Sequence, residues 1–315
     1  MYTRRELGRL ALAALPGIGT LPRLAGERLF GQPNSKISGV QIGLNVPYSF
    51  GSNAMSGDET LQRCVKLGVS AVELRSQPVE AFLGVPADLV SAAAVRNPTP
   101  EQDAARKAAF EGLRKWRVAA PLGKVKEFRK KYDDAGVNIE IVKFDAIYAR
   151  QDDELDYCFE LAKALGARAI SCEISVKDTK RVGQFADKHR LMVGYHGHAE
   201  TGPADWETAF GYAKFNGANL DIGHFIAGHN TSPVPFLKQH HARITHIHVK
   251  DRKMNDGPNT PFGQGDTPIK EVLQVIRDNK WPIQATIEFE YPVPAGSDRM
   301  AEIAKCVQYC KDALR

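Results

Sequence analysis

No Cys-x-x-Cys pair occurs in this sequence, and its five cysteines, Cys64, Cys158, Cys172, Cys306 and Cys310, are odd in number. That argues against a zinc finger and against a disulfide-built framework. Cys306 and Cys310 lie one helical turn apart in a helical pattern, where a disulfide is geometrically poor and packing is the default. No Gly-Lys-Ser/Thr ending marks a phosphate loop, and no low-complexity linker divides the chain. Charge of one sign is scarce as well. The formal net charge is +5, but Arg4, Arg5, Arg9 and Arg23 against Glu6 put +3 of it in the first 26 residues. The rest forms no basic stripe, so a nucleic-acid partner is not expected. What is present is an ordinary globular composition, 43% hydrophobic and 25% charged over 315 residues, enough for a sizeable core in one or two domains.

The N-terminus reads as an address. Thr3-Arg4-Arg5-Glu6-Leu7 precedes the small-apolar run Leu10 to Leu21, and paired arginines ahead of a modest apolar stretch are the signature of a twin-arginine export signal. The run is too short to span a bilayer comfortably, so no integral membrane segment is expected. Residues 1–30 are assigned to this leader and the protein to an exported, periplasmic location. The alternative is an amphipathic helix packed on the domain.

From residue 37 to 315, eight short runs rich in β-branched residues alternate with helical stretches. The runs are Val40-Val46, Ala71-Ser76, Asn138-Phe144, Arg168-Ser175, Leu191-His198, Ala218-Phe225, Ile244-Asp251 and Ala285-Tyr291. Between them, Leu61, Cys64 and Val65, then Leu155, Phe159, Ala162 and Leu165, then Ile269, Val272, Leu273 and Ile276 recur at helical spacing. Gly68, Gly136 and Gly166 stand where left-handed helix stops are expected. Eight such units predict one closed (β/α)8 TIM barrel, a single α/β domain. Residues 77–120, with four prolines, are expected to form an extended loop plus helix after the second strand, near the pocket mouth.

Successive strand residues point to opposite faces, which splits each strand into two sets. In the fourth to eighth runs one set is apolar and suits the surrounding helices. The other carries Glu173, His196 and His198, Asp221, His246, His248 and Lys250, Glu288 and Glu290. Several charges converging inside a barrel need one another or a cation. Glu173, Asp221, His248 and Glu288 would supply three carboxylates and one imidazole for a single divalent ion. Such an oxygen-rich set suits Mn2+ or Mg2+, with Zn2+ less expected because no thiolate is placed to bind it.

At these residues the sequence resembles a known family. Tyr195-His196-Gly197-His198, Asn219-Leu220-Asp221-Ile222-Gly223-His224, Ile247-His248-Val249-Lys250-Asp251-Arg252 and Thr286-Ile287-Glu288-Phe289-Glu290-Tyr291 resemble the xylose-isomerase-like TIM-barrel superfamily. That superfamily covers sugar phosphate isomerases/epimerases, inosose dehydratases and endonuclease IV. The resemblance implies that Asp221, His248 and Glu288 are metal ligands. It departs on strand five, where many epimerases carry a ligand glutamate and this chain has His196. Either Glu173 or His196 is then the fourth ligand.

Isomerisation, epimerisation and β-elimination on a sugar all begin by removing a proton beside a carbonyl, and a divalent ion stabilises the resulting enediolate. His196 and His198 are candidates for the general base or acid, with hydrogen bonding to a ligand carboxylate as the alternative. His224 could transfer a proton or bind a hydroxyl. Lys250 could polarise a carbonyl or form a salt bridge to Glu288 or Glu290. Trp206 is the candidate for stacking on a sugar face, and Arg252 and Glu290 complete the expected substrate contacts. The glycines of Gly263-Gln264-Gly265-Asp266-Thr267-Pro268 either let backbone approach a ligand or form a helix-entry turn. The expected function is a divalent-metal-dependent isomerase or epimerase of an unphosphorylated sugar or keto-sugar, since export argues against a sugar phosphate. A 3-keto-glycoside lyase or hydratase and a non-catalytic sugar-binding protein are the alternatives. An endonuclease is not expected, because the first three strands lack inward histidines and the mature chain lacks a basic groove.

Overall fold

The computed structural model describes residues 32–315, which form one compact unit, and the leader expected at residues 1–30 lies outside them. Eight parallel strands make the barrel: β1 (Val40–Val46), β2 (Ala71–Arg75), β3 (Asn138–Lys143), β4 (Ala169–Glu173), β5 (Met192–His196), β6 (Asn216–Asp221), β7 (Ile244–Val249) and β8 (Gln284–Ile287). Each hydrogen-bonds to the next, and β8 returns to β1 with Ala285 opposite Ile42, so no strand edge is left open. Register shifts fall between Val72 and Glu73 and between Ala218 and Asn219. Irregularities of this kind re-aim side chains.

The helices form as their periodicity predicts. Ile269, Val272, Leu273 and Ile276 are all buried on Ile269–Asp278, and Leu155, Phe159, Ala162 and Leu165 on Asp152–Leu165. Gly68, Gly136 and Gly166 take positive φ of 66°, 75° and 77°, the conformation in which a glycine stops a helix at least cost. All five cysteines are buried and unpaired. Among the described residues no helix is long and apolar enough to cross a membrane.

Two expectations need correction. Residues 77–120 are mostly helical, as Gln77–Phe82, Ala87–Ala93 and Pro100–Val118. The four prolines sit at helix starts and in the turns between helices, and Thr99 closes a capping box with Gln102. The sixth strand ends at Asp221 rather than Phe225, because Asp221 caps the helix Ile222–His229. His224 is therefore carried on a helical first turn.

Candidate metal centre

The C-terminal ends of β5 to β8 bring four side chains together. His196 Nε2, Asp221 Oδ2, His248 Nδ1 and Glu288 Oε2 lie within 4.8 Å of one another, and all four residues are buried. The closest approaches are His248 to Glu288 at 3.2 Å, His196 to Asp221 at 3.4 Å, His248 to Asp221 at 3.8 Å and His196 to Glu288 at 3.9 Å. Donor atoms held about 2.1 Å from one ion stand roughly 3–4 Å apart, so these separations suit a shared cation.

Each of the four has its other polar atom tied down. His196 Nδ1 donates to Glu173 Oε2 at 2.7 Å; a carboxylate only accepts, so the proton sits on Nδ1 and the Nε2 lone pair faces the cluster. Asp221 Oδ1 accepts from the backbone N–H of His224 at 2.8 Å as the helix cap, which leaves Oδ2 free to face inward. His248 Nε2 lies 2.6 Å from Glu73 Oε2, which turns Nδ1 toward the cluster. Asn45 Nδ2 donates to Glu288 Oε1 at 2.7 Å, and Glu288 Oε2 points inward.

The electrostatics call for a cation. Lys250 Nζ stands 3.0 Å from Asp221 Oδ2, 2.6 Å from Glu288 Oε2 and 2.6 Å from Glu290 Oε2. Three carboxylates against one ammonium and the imidazole of His248 leave negative charge in excess in a largely buried site, and such an excess is expensive unless neutralised. Glu288 Oε2 faces both His248 Nδ1, at 3.2 Å, and the Lys250 ammonium, at 2.6 Å. Burial opposes protonation of His248, but the flanking Glu288 and Glu73 carboxylates outweigh it and push its pKa up to about 10. Burial likewise opposes ionisation of Asp221 and Glu288, and the neighbouring cations hold both well below the usual carboxylate range, Lys250 foremost at Asp221 and His248 then Lys250 at Glu288. The clustered nitrogen and oxygen donors and the excess negative charge fit a divalent ion.

The fourth-ligand question turns on Glu173, and the expectation that Glu173 is a ligand is corrected. Its Oε1 pairs with Lys143 Nζ at 2.8 Å, and its Oε2 takes His196 Nδ1 and lies 3.1 Å from His198 Nε2. Glu173 thus stands behind His196 as its orienting carboxylate, and the imidazole takes the place next to the other three. The candidate donor set is two nitrogens and two oxygens, softer than the three-carboxylate set expected.

The proton-carrying candidates surround this group. His198 is half exposed at the rim, its pKa raised by the hydrogen bond to Glu173, which outweighs partial burial. Burial lowers the pKa of His224 to about 4, so it stays neutral. Arg252 Nη1 lies 2.7 Å from His224 Nδ1 and Lys250 Nζ lies 3.2 Å from its Nε2, so the neutral ring is held between two cationic donors. Arg252 also donates to the Gly257 carbonyl; it holds His224, and the expected substrate contact gives way to that role. Glu290 accepts from Tyr48 at 2.7 Å and lines an open cavity of about 490 Å³ with Tyr48, Ser52, Asn53, Asn259 and Arg299.

The expectation that Trp206 stacks on a sugar is corrected. The side chain is 1% exposed, its Nε1 donates to the Tyr195 carbonyl and its ring packs on Phe236, so no face is free. The loop at residues 263–268 serves the protein and not a ligand. The N–H groups of Gly263, Gly265 and Thr267 all donate to the Asp251 carboxylate, and a Cβ on Gly265 would collide with that carboxylate. Gly223 meets a similar limit, since its Cβ would run into the Lys250 side chain and backbone. Gly223→Ala is therefore expected to cost about 1–3 kcal/mol by overpacking and to displace Lys250, as denaturant titration should show; unchanged stability would refute it.

Asn45, Glu73 and Lys143 were not anticipated. Asn45 and Glu73 could have been read from the sequence, because each occupies the non-apolar set of its strand, opposite Leu44 and Val46 or Val72 and Leu74. Lys143 shares its set with Ile139 and Ile141, so the pattern concealed it.

The structure is a closed parallel barrel whose mouth gathers acids and imidazoles into a candidate cation site. The chain belongs to the xylose isomerase-like TIM barrel family, whose profile matches residues 61–312. Among solved structures, a xylose isomerase domain protein from Planctomyces limnophilus superposes with a TM-score of 0.59 at 16% identity over 87% of this chain and 97% of that one. The probable 3-DHS dehydratase AsbF from Bacillus anthracis superposes with a TM-score of 0.58 at 14% identity over 86% and 99%. Among curated proteins, an inosose dehydratase of Clostridium botulinum is 25% identical over 155 residues, 42% of this chain and 51% of that protein. The chain therefore spans about half the length of the curated relatives it matches.

Proposed function

We propose that the protein is a divalent-metal-dependent isomerase or epimerase that acts on an unphosphorylated sugar or keto-sugar by removing the proton beside its carbonyl. The observation that carries this reading is the group His196, Asp221, His248 and Glu288, flanked by three groups able to move or stabilise charge that are not needed as ligands: His198, His224 and Lys250. A bound divalent ion would chelate adjacent sugar oxygens and stabilise the enediolate charge.

The chain's own residues would do the rest. The cavity beside Glu290 is lined by hydroxyl, amide and charged side chains, which suit the alternating donors and acceptors of a sugar. Neutral His224, held between Arg252 and Lys250, is the candidate hydroxyl contact, or a proton carrier once Lys250 is drawn away from its Nε2. Half-exposed His198, whose pKa Glu173 raises, is the candidate acid. Lys250, already among carboxylates, would sit beside the developing negative charge. The export expected from the leader supports an unphosphorylated substrate and a periplasmic site of action.

A second reading, elimination or hydration by a lyase of this fold, is favoured by one observation: the curated relatives matched are inosose dehydratases. It shares the proton removal and differs in what leaves afterwards. One experiment tests the shared step. The metal-loaded protein is incubated in deuterated water with a panel of keto-sugars and keto-glycosides, and deuterium uptake at the carbon beside the carbonyl is followed by NMR. Exchange that vanishes on chelation is expected; no exchange across the panel would leave a sugar-binding role instead. Loss of the neighbouring oxygen substituent, seen in the same spectra, would mark the lyase.

A further inference from the structure

Below the four candidate ligands, Glu73 and His246 form a second group with His248, and the proposed chemistry uses neither of those two. Glu73 on β2 is fully buried, as are His246 and His248 on β7. Glu73 Oε2 is 2.6 Å from His248 Nε2, and Glu73 Oε1 is 3.3 Å from His246 Nε2. The contact spans 175 positions in sequence and crosses the barrel interior, where branched apolar side chains are the norm. An ionised carboxylate in that place has a high solvation cost, so a barrel that needed only filling would do better with a valine.

We propose that Glu73 is the positioning residue of the metal centre. It holds the proton of His248 on Nε2, where the Asn219 amide also lies at 3.0 Å, and so presents the Nδ1 lone pair to the ion, while His246 lies beneath the carboxylate with Nε2 3.3 Å from Oε1. His248 rotates about two side-chain bonds, and with no acceptor beneath it either ring nitrogen could face the cluster. The carboxylate removes that freedom, because it accepts from one nitrogen only and sits opposite the cluster. His246 is fixed in turn, its Nδ1 2.8 Å from Thr245 Oγ1. Three strands then share the work: β2 supplies the carboxylate, β7 the ligand it orients and β8, through Glu288, the partner 3.2 Å away.

The inference rests on the proposed metal reading, and the test separates the two. Full-length protein and Glu73→Gln are titrated with Mn2+, free ion being read by electron paramagnetic resonance, with circular dichroism and thermal melting in chelator as the folding control. Orienting partners of metal-ligating histidines typically contribute 10–100-fold in affinity, and a loss in that range is expected in folded Glu73→Gln. Co2+ bound in its place should show an altered visible spectrum, because a neutral amide, which can accept or donate, no longer enforces the Nε2 proton or raises the basicity of His248. Glu73→Asp, which keeps the charge but withdraws it by one methylene, should weaken binding too and serves if the Gln variant does not fold. Folded variants that bind Mn2+ within about twofold of the parent, with an unchanged Co2+ spectrum, overturn the inference alone. A parent chain that takes up no Mn2+ overturns the proposed function and the inference with it.

Discussion

Replacing Glu288 by Gln is expected to weaken Mn2+ binding by about 100-fold or more while the barrel stays folded. The substitution keeps the size of the side chain, and the Gln carbonyl can still accept from Asn45 Nδ2, which now donates to Glu288 Oε1 at 2.7 Å. What is lost is the charge of Oε2, the atom that faces His248, His196 and Lys250. Loss of a merely orienting group costs 10–100-fold in metal affinity, so loss of a charged ligand should reach at least the upper end. Metal analysis after dialysis reads the effect directly. The parent should hold close to one divalent ion per chain and the variant a small fraction, with deuterium exchange falling in parallel. His198→Ala is the internal control. His198 lies outside the group of four, so it should keep its ion and lose only exchange. Full occupancy in Glu288→Gln would remove the ligand assignment.

Lys250→Met should give the largest stability change in the molecule, and one that depends on the ion. In the unloaded protein Lys250 faces Asp221, Glu288 and Glu290 from a fully buried position. Breaking a buried ion group by removing one partner costs about 3–5 kcal/mol, a large share of the roughly 5–15 kcal/mol that holds a folded domain. A divalent ion would return positive charge to the same carboxylates, so saturating Mn2+ should recover part of the loss. Urea unfolding with chelator and with Mn2+ gives both numbers, and the metal-dependent gain should exceed that of the parent. Equal destabilisation in both conditions would mean that the lysine and the ion do not share these oxygens.

Much of this protein is legible along the chain. Alternation of two and spacing of three to four located all eight strands and several of the helices between them, though not the three at residues 77–118, because a barrel strand must send one set of residues to the helices and the other inward whatever its neighbours are. The same rule brought out Asp221, His248 and Glu288, since a carboxylate or imidazole on the inward set at a strand end stands out against Ile and Val. Applied to β1 and β2, it also marks Asn45 and Glu73.

Which inward residue does what was decided by the tertiary structure. Periodicity tells which face a side chain leaves from, but not how far it reaches or which of its two polar atoms is already taken. Glu173 and His196 sit opposite each other in register, and only the 2.7 Å contact between them makes the imidazole the inner group and the carboxylate its support. Trp206 follows the fifth strand as a sugar-stacking residue would, yet the closing of its helix on Phe236 buries the indole. Asp221 ends its strand early because its own carboxylate caps the next helix, and that cap leaves one oxygen for the cluster. Local sequence therefore sets the direction of each side chain, whereas the pairing of donors with acceptors across the barrel depends on distances between strands far apart in the chain, which no local pattern encodes.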